Sequence, residues 1–278
     1  MPSGVLNPLF PFSAVRGMDD VKRALECVAI DRDLTGLLIK GPTGTAKSLL
    51  VRSFVRMLPE MEIINVPQNV TDEQLFGGMD IENAIKNGKA QIKDGLMQRA
   101  DGNILYIDNI NLFDQKMLSS ILECVESGKI LVEREGISAE YDCNTTVIAT
   151  MDPAEQILPD SITDRFDICV QTYSSRKKHD RCGIVEMNLE FDSDPEAFIE
   201  KYRGEDEELI RNMASAAERL KDIDITGSDI SKISQICINL DINGHRGDIS
   251  VAKVSRTLSA LGGRDSISDE DIRDAAVM

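Results

Sequence analysis

The sequence Gly41-Pro42-Thr43-Gly44-Thr45-Ala46-Lys47-Ser48 follows an apolar run, residues 36–40, and precedes a pattern with helical spacing, residues 48–55. A buried strand, a glycine-rich turn and Lys-Ser at the start of a helix are typical of a phosphate-binding loop, in which backbone N–H groups and the helix dipole face the phosphates. A strand, turn and helix could carry this sequence by chance, but the flanking periodicity disfavours that alternative. The pattern therefore predicts a nucleotide site at this loop.

The residues of this loop divide between two tasks. In such loops the lysine, here Lys47, bridges the β- and γ-phosphates, and the hydroxyl that follows, here that of Ser48, binds Mg²⁺. The expected cofactors are therefore ATP and Mg²⁺. The candidate phosphate-binding residues are Gly41, Pro42, Thr43, Gly44, Thr45, Ala46, Lys47, Ser48 and Leu49.

Ala46 departs from the usual pattern, which has glycine directly before the lysine. If this position needs a positive φ, the Cβ of alanine costs about 1–2 kcal/mol there. The surrounding fold can hold the loop against a cost of this size. We therefore expect nucleotide binding to survive.

The composition of the chain excludes several classes of function. Its 278 residues are enough for one sizeable core and a second small domain. The 48 acidic and 31 basic residues give a net charge of −17, which repels nucleic acid and membrane surfaces, and we find no local basic patch. No apolar run approaches the ~20 residues that span a bilayer, and residues 1–4 do not begin a signal peptide. We expect a cytoplasmic protein with no membrane span and no nucleic-acid partner.

The cysteines predict neither disulfides nor a metal site. All six are scattered without a Cys-x-x-Cys pair, and His179 and His245 are the only histidines. This spacing favours reduced, mostly buried thiols over a zinc site. We therefore expect no built-in transition-metal centre.

Five short runs of β-branched or aliphatic residues are separated by helical or turn-rich sequence. This alternation is typical of an α/β fold with a mainly parallel sheet that is covered on both faces. A loop at the carboxyl end of one strand then places a nucleotide along the edge formed by the strand ends. The runs are residues 36–40, 61–66, 103–108, 145–150 and 166–170.

Helical patterns flank the predicted sheet. Ahead of it, Asp19 is expected to cap a helix over residues 21–30. After residue 172 the strand pattern stops, and helices are expected over residues 181–191, from Pro195 onward and over residues 206–220. The acidic residues 205–208 are then a solvated helix start. We expect two domains, residues 1–172 and 173–278.

The run Ile104-Leu105-Tyr106-Ile107-Asp108-Asn109 delivers an acid to the end of a buried strand, which is the Walker B arrangement. Asp108 would hold Mg²⁺ beside Ser48; the alternative is an ordinary strand that ends in a capping aspartate. Asn109 stands where hydrolytic members of this class have a glutamate that polarises the attacking water. An amide cannot accept a proton, and loss of a general base costs about 10²–10⁴-fold in rate. We therefore expect the chain's own hydrolysis to be weakened.

With Lys47, Ser48 and Asp108 in place, the sequence resembles the AAA+ ATPase module of magnesium chelatase from about residue 11 to the end. Residues 11–17 resemble the adenine-side segment of that family, with Val15 and Gly17 as the matching nucleotide contacts. Residues 80–96 resemble its helix-2 insertion, and residues 132–138 its hairpin before the sensor-1 strand. The resemblance implies an AAA+ P-loop NTPase fold followed by a small all-helical domain.

Three further site residues are implied by the resemblance alone. Asp152 stands at the sensor-1 position, where the family usually has asparagine, and an acid there would repel the γ-phosphate unless it is protonated or paired with a cation. Arg165 matches the arginine finger, which reaches a neighbour's ATP; the alternative is a structural arginine paired with Asp164 or Asp167. Arg246 matches the sensor-2 arginine on the phosphates.

The resemblance also implies a setting for the chain. It implies a subunit of a homo- or hetero-oligomeric AAA+ ring that drives metal insertion into a tetrapyrrole, with other chelatase subunits and an integrin-like domain protein as partners. Ala46, Asn109 and Asp152 favour a D-type or divergent subunit over the I-type ATPase subunit. Two alternatives stay open: a non-hydrolysing nucleotide-dependent scaffold, and a MoxR-type chaperone ATPase that matures a partner with an integrin-like domain.

Overall fold

The computed structural model describes residues 8–79, 92–134, 137–242 and 244–278. The strands in these residues are β1 (Gly36–Lys40), β2 (Ile63–Asn65), β3 (Gly78–Met79), β4 (Ile92–Lys93), β5 (Ile104–Ile107), β6 (Lys129–Arg134), β7 (Ile137–Asp142), β8 (Thr146–Met151) and β9 (Ile168–Gln171). Five of them form one parallel sheet in the order β2-β5-β8-β1-β9.

Helices cover both faces of this sheet and predominate after β9. They are α1 (Asp19–Ile30), α2 (Lys47–Met57), α3 (Asp72–Phe76), α4 (Leu96–Arg99), α5 (Gln115–Ser127), α6 (Asp160–Thr163), α7 (Lys178–Ser193), α8 (Pro195–Leu220), α9 (Gly227–Asn239), α10 (Arg246–Leu261) and α11 (Asp269–Val277). A 3₁₀ turn covers Ile110–Leu112. Among the described residues, no helix is both long enough and apolar enough to cross a bilayer.

Alternate residues of the central strands enter two separate cores. In β1, Leu37 and Ile39 belong to the core that includes α1, α2 and the C-terminal helices, whereas Leu38 belongs to the core beneath α5. Successive side chains of a strand point to opposite faces, so a strand covered on both faces is apolar throughout. Burying each such leucine or isoleucine contributes about 1.5–3 kcal/mol.

The sheet agrees with the sequence-based expectation. Each of the five apolar runs overlaps one strand of the parallel sheet, and β6 and β7 pair as an antiparallel hairpin ahead of β8. The proposed helix-2 insertion lies mostly at residues 80–91, outside the described residues. On either side of that range, β3 and β4 pair with each other as antiparallel strands.

Two expectations about helices are wrong. Asp19 does not cap α1: Met18 holds the cap position with a φ of 59° and no side-chain bond, because the positive-φ pair Gly17 and Met18 turns the chain directly into the helix. The acidic residues 205–208 do not start a helix but lie in the middle of α8, which runs unbroken for 26 residues. Burial of Phe198 and Met213 on either side holds the chain helical through Gly204.

The helices after β9 pack onto the N-terminal segment. Phe10 lies between two of them, with its ring centroid 5.2 Å from that of Phe191 and 5.0 Å from that of Phe198. Asp31, at the end of α1, accepts hydrogen bonds from Arg256 and Thr257 of α10. The division of the chain at residue 172 stays a prediction.

Candidate functional site

Four neighbouring strands end at one edge of the sheet, and the residue after each of them belongs to the candidate site. Gly41 follows β1, Asp108 follows β5, Asp152 follows β8 and Thr172 follows β9. Carboxyl ends of parallel strands share an edge, and ligands of open α/β sheets bind there. The fold therefore brings together residues that are up to about 130 positions apart in the sequence.

The loop between β1 and α2 has the backbone of a phosphate-binding loop. Gly44 has a φ of 83° and Ala46 a φ of 60°, so the position before Lys47 does need the left-handed conformation. A Cβ on Gly41 would overlap the hydroxyl of Thr172, and that hydroxyl lies 2.9 Å from the hydroxyl of Thr45. The end of β9 is therefore in direct contact with the loop.

Lys47, the first residue of α2, directs its ammonium group into this loop. Its Nζ donates to the carbonyl of Gly41 at 2.7 Å and to that of Pro42 at 2.9 Å, and the residue is only 7% exposed. Burial lowers the pKa of Lys47, and the charges of Asp152 and Asp108 oppose that shift. A buried ammonium beside these carbonyls is placed to bind an anion held by the loop.

Asp108 is surrounded by three hydroxyl groups. Its carboxylate accepts from Thr150 Oγ1 at 2.6 Å, from Tyr106 OH at 3.1 Å and from Ser48 Oγ at 3.1 Å. Burial raises the pKa of Tyr106 to about 12, so this phenol stays a donor at neutral pH. The carboxylate of Asp108 and the hydroxyl of Ser48 are hard oxygen donors, which is the chemistry that Mg²⁺ prefers. The residues present therefore fit the expected metal ion.

Asn109 also has a left-handed backbone, with a φ of 54°. Its N–H donates to the hydroxyl of Thr150 at 3.2 Å, while its side chain makes no hydrogen bond with any residue that the structure describes. Asparagine is one of the few residues other than glycine that adopt this conformation readily. The position therefore carries a backbone requirement in addition to any role of its side chain.

Asp152 has its charge balanced by the phosphate loop itself. One carboxylate oxygen accepts from the N–H of Thr43 at 2.7 Å and from its hydroxyl at 3.0 Å, and the other accepts from the N–H of Ala154 at 3.0 Å. These hydrogen bonds lower the pKa of Asp152, with a smaller contribution from Lys47. The carboxylate is therefore stabilised mainly by these three hydrogen-bond donors, and it forms no ion pair with Lys47 in the described part of the chain.

The two candidate arginines lie together on the surface of α5. Arg165 donates to the carbonyl of Ser119 at 3.3 Å, and its guanidinium is 3.7 Å from the carboxylate of Glu126. Arg246 donates to the same carboxylate at 2.7 Å and to the carbonyl of Asp164 at 3.3 Å. Glu126 therefore joins the two arginines.

This arrangement bears on both arginine assignments. Within the described parts of the chain, no hydrogen bond or ion pair links Arg246 to residues 41–48, so the contacts do not support a role on the chain's own phosphates. The alternative pairing of Arg165 with Asp164 or Asp167 is absent as well, and Asp167 instead accepts from the N–H groups of Thr35 and Gly36. Both arginines line an open cleft of about 510 Å³.

The N-terminal segment packs against the helix that begins with Lys47. The rings of Phe12 and Phe54, a residue of α2, lie 5.0 Å apart. Val15 is buried in the same core, and the exposed Gly17 has a φ of 70°. The N-terminal segment therefore packs against α2 through Phe12, while contact of Val15 and Gly17 with a nucleotide stays a prediction.

Three residues of the site were not predicted from the sequence. Tyr106 lies two positions before Asp108 on the same strand, so the two-residue period of a strand could have placed it on the same face. Thr150 lies two positions before Asp152 and could have been found in the same way. Glu126 gave no signal, because it lies 120 positions from Arg246 and only the folded chain brings the two side chains together.

Comparison with known proteins agrees with this architecture. Residues 36–166 match the family of AAA domains of the dynein-related subfamily, and residues 230–278 match an AAA lid domain. The chain also resembles a solved structure of the complex between subunits BchI and BchD of magnesium chelatase. That likeness has a TM-score of 0.57 at 29% identity and covers 98% of this chain and 95% of the other.

Curated relatives match nearly the whole chain. The magnesium-chelatase subunit ChlI homolog of Methanocaldococcus jannaschii is 31% identical over 307 residues, covering 98% of this chain and 84% of the relative. The chloroplastic ChlI subunit of Nicotiana tabacum is 33% identical, covering 96% and 72%. These names are those of the I subunit, so the preference for a D-type subunit gains no support from them. The chain belongs to the family of magnesium-chelatase AAA+ subunits.

Proposed function

We propose that this chain binds Mg·ATP at residues 41–49 and acts as an AAA+ subunit of a magnesium-chelatase-type complex. The observation that carries the proposal is the contact between the Ser48 hydroxyl and the Asp108 carboxylate, 3.1 Å long, next to the buried ammonium group of Lys47. An anion-binding loop with a hydroxyl and a carboxylate beside it suits a nucleotide with its divalent cation. The names of the relatives support the chelatase assignment.

Each residue of the site has a task in this proposal. The N–H groups of the loop and the ammonium of Lys47 bind the phosphates, and Ser48 and Asp108 hold Mg²⁺. The hydroxyls of Tyr106 and Thr150 orient the Asp108 carboxylate. Mg²⁺ bound there neutralises charge on the phosphate oxygens. Val15 and Gly17 lie on the adenine side.

The two arginines serve a neighbouring subunit in this proposal. Arg165 and Arg246 are joined through Glu126 on one surface, and neither contacts the chain's own loop in the described residues. A head-to-tail ring would present this surface to the next subunit's nucleotide, where guanidinium groups stabilise the charge of phosphoryl transfer.

The proposed partners are further AAA+ subunits, other chelatase subunits and a protein with an integrin-like domain. The proposed setting is the cytoplasm, and the proposed outcome is metal insertion into a tetrapyrrole.

The test measures phosphate release from Mg·ATP over a range of protein concentrations, alongside a nucleotide-binding titration. We expect the chain to bind ATP and its turnover per subunit to rise with concentration, because the arginines come from a neighbour. Lys47→Ala should abolish both binding and turnover. Failure of the unaltered chain to bind Mg·ATP would reject the proposal.

One observation favours a second function, a nucleotide-dependent scaffold that does not hydrolyse ATP. Asn109 supplies no carboxylate at the position where a general base is expected. A scaffold would bind ATP with negligible turnover even at concentrations where rings form. Asn109→Glu separates the two functions: a large gain in turnover from a negligible level supports the scaffold, whereas substantial turnover before the change supports the motor.

A further inference from the structure

Asp152 forms a complete set of hydrogen bonds with the chain itself. It is 7% exposed and accepts three hydrogen bonds, two from Thr43 in the phosphate loop and one from Ala154 in its own loop. Both carboxylate oxygens are therefore engaged. A residue that reads the terminal phosphate would instead keep a polar atom directed at the ligand.

Asn111 links the same loop to the Walker B segment. It lies in the 3₁₀ turn that follows Asp108, is 2% exposed, and donates through Nδ2 to the carbonyl of Asp152 at 3.2 Å and to that of Gln156 at 3.3 Å. Its Oδ1 is buried without a hydrogen-bond partner in the described residues. The NH₂ group of Asn111 therefore binds the loop that follows β8.

We propose that Thr43, Asn111 and Asp152 form a clasp in which Asp152 is a positioning residue, fixing the first turn of the phosphate loop relative to Asp108. The clasp joins the loops that follow β1, β5 and β8. Asp152 then acts on nucleotide binding through the shape of the loop and does not read the γ-phosphate. This inference rests on the proposed function only in taking residues 41–48 as a nucleotide site.

The donors around Asp152 require a carboxylate. Two N–H groups and one hydroxyl face its two oxygens, and all three donate. An asparagine has one acceptor oxygen and one NH₂ group, so either rotamer would set its N–H against the N–H of Thr43 or of Ala154. An asparagine at this position would therefore be the wrong group for this clasp.

The first test is hydrogen exchange of individual amides in the Asp152→Asn variant. We expect the amide of Thr43 or of Ala154, whichever faces the NH₂ group of the asparagine, to exchange about ten-fold faster, because it loses its acceptor. Asp101→Asn is the matched control: Asp101 accepts from the N–H of Asn144 at 2.8 Å and likewise joins two loops, away from the site. It should speed exchange at Asn144 and leave Thr43 unchanged. Unchanged exchange at both Thr43 and Ala154 in Asp152→Asn would overturn the clasp.

The second test compares affinities for ATP and ADP in the presence of Mg²⁺. A loosened loop weakens both nucleotides by about the same factor, near ten-fold in Asp152→Asn, and leaves the ratio of the two dissociation constants unchanged. A sensor of the γ-phosphate predicts the opposite, since removing a negative charge would favour ATP over ADP. A shift of that ratio toward ATP would overturn the proposal.

Thr43→Val keeps the test decisive if Asp152→Asn does not fold. This change removes one donor to Asp152, so the affinities for ATP and for ADP should each fall about three-fold. Affinities equal to those of the unaltered chain would count against the clasp. In the double variant with Asp152→Asn, the two losses should not add, because both remove the same interaction. If the unaltered chain binds no nucleotide, the proposed function fails, and hydrogen exchange alone still decides the clasp.

Discussion

Two residues of the site, Ala46 and Asn109, hold left-handed backbone conformations that glycine adopts more easily. For Ala46 the sequence alone indicated the cost of placing a Cβ at a positive φ, because the motif has a glycine at this position. For Asn109 the sequence indicated only a missing carboxylate. Its φ of 54° depends on how β5 leads into the 3₁₀ turn, which no local pattern specifies.

Ala46→Gly should stabilise the protein. Relief of the Cβ strain outweighs the entropy that glycine adds to the unfolded chain, so we expect the free energy of unfolding to rise by about 0.5–1 kcal/mol. Urea denaturation measures this change. Ala24→Gly, in the middle of α1, is the matched control and should destabilise by about 1 kcal/mol or more. A destabilised Ala46→Gly variant would contradict the assigned conformation.

Tyr106→Phe should weaken the use of Mg²⁺ more than the binding of nucleotide. The change removes the hydroxyl that donates to Asp108 and keeps the buried ring. We expect the Mg²⁺ concentration for half-maximal nucleotide binding to rise about ten-fold, with little change in affinity measured without Mg²⁺. Tyr141→Phe, on β7, is the control and should alter neither value. An equal loss of affinity with and without Mg²⁺ would mean that Tyr106 only supports the fold.

At the scale of elements, the sequence was most informative about the sheet. Strands buried on both faces are short, continuous apolar runs, and that signal located all five within a few residues. It was least informative about α8, where Gly204 and the acidic residues 205–208 look like an interruption. Tertiary burial of Phe198 and Met213 carries the helix through this stretch, and local propensity does not contain that information.

Asp31→Ala should loosen the attachment of α10 to α1. Asp31 is 3% exposed and accepts from Arg256 at 3.2 Å and from Thr257 at 3.0 Å, so its removal leaves a half-buried guanidinium without its main partner. We expect a loss of about 2–3 kcal/mol in the free energy of unfolding. Asp33→Ala tests the specificity of this effect, because Asp33 is exposed and lies 3.8 Å from the same arginine. Its loss should stay below about 0.5 kcal/mol.

At the scale of the whole molecule, the sequence identified both arginines but not the carboxylate that joins them. Arg246 lies 81 positions after Arg165, and only the folded chain brings the two side chains to one carboxylate. A motif specifies a residue type and its spacing. It does not specify whether the side chain faces the chain's own nucleotide site or that of a neighbouring subunit.

Mixing two inactive variants tests whether the arginines act on a neighbour. Lys47→Ala removes the chain's own phosphate site, and Arg165→Ala removes the group offered to the next subunit. In a mixture, about one interface in four combines an intact loop with an intact arginine, so turnover should return in part. Mixing Lys47→Ala with a Lys47→Ala/Arg165→Ala double variant should restore nothing. Absence of recovery in the first mixture, with rings present, would place the action of Arg165 within its own chain.

The contact between Thr172 and Thr45 gives the phosphate loop a mechanical connection to the helical part of the chain. Thr172 is the last buried residue before the segment that leads from β9 into α7, and its hydroxyl lies against the loop. The end of β9 therefore connects the phosphate loop on one side with the helices that begin at α7 on the other. We expect a shift of those helices to move the nucleotide loop through Thr172, and a nucleotide bound in the loop to shift the helices through the same contact.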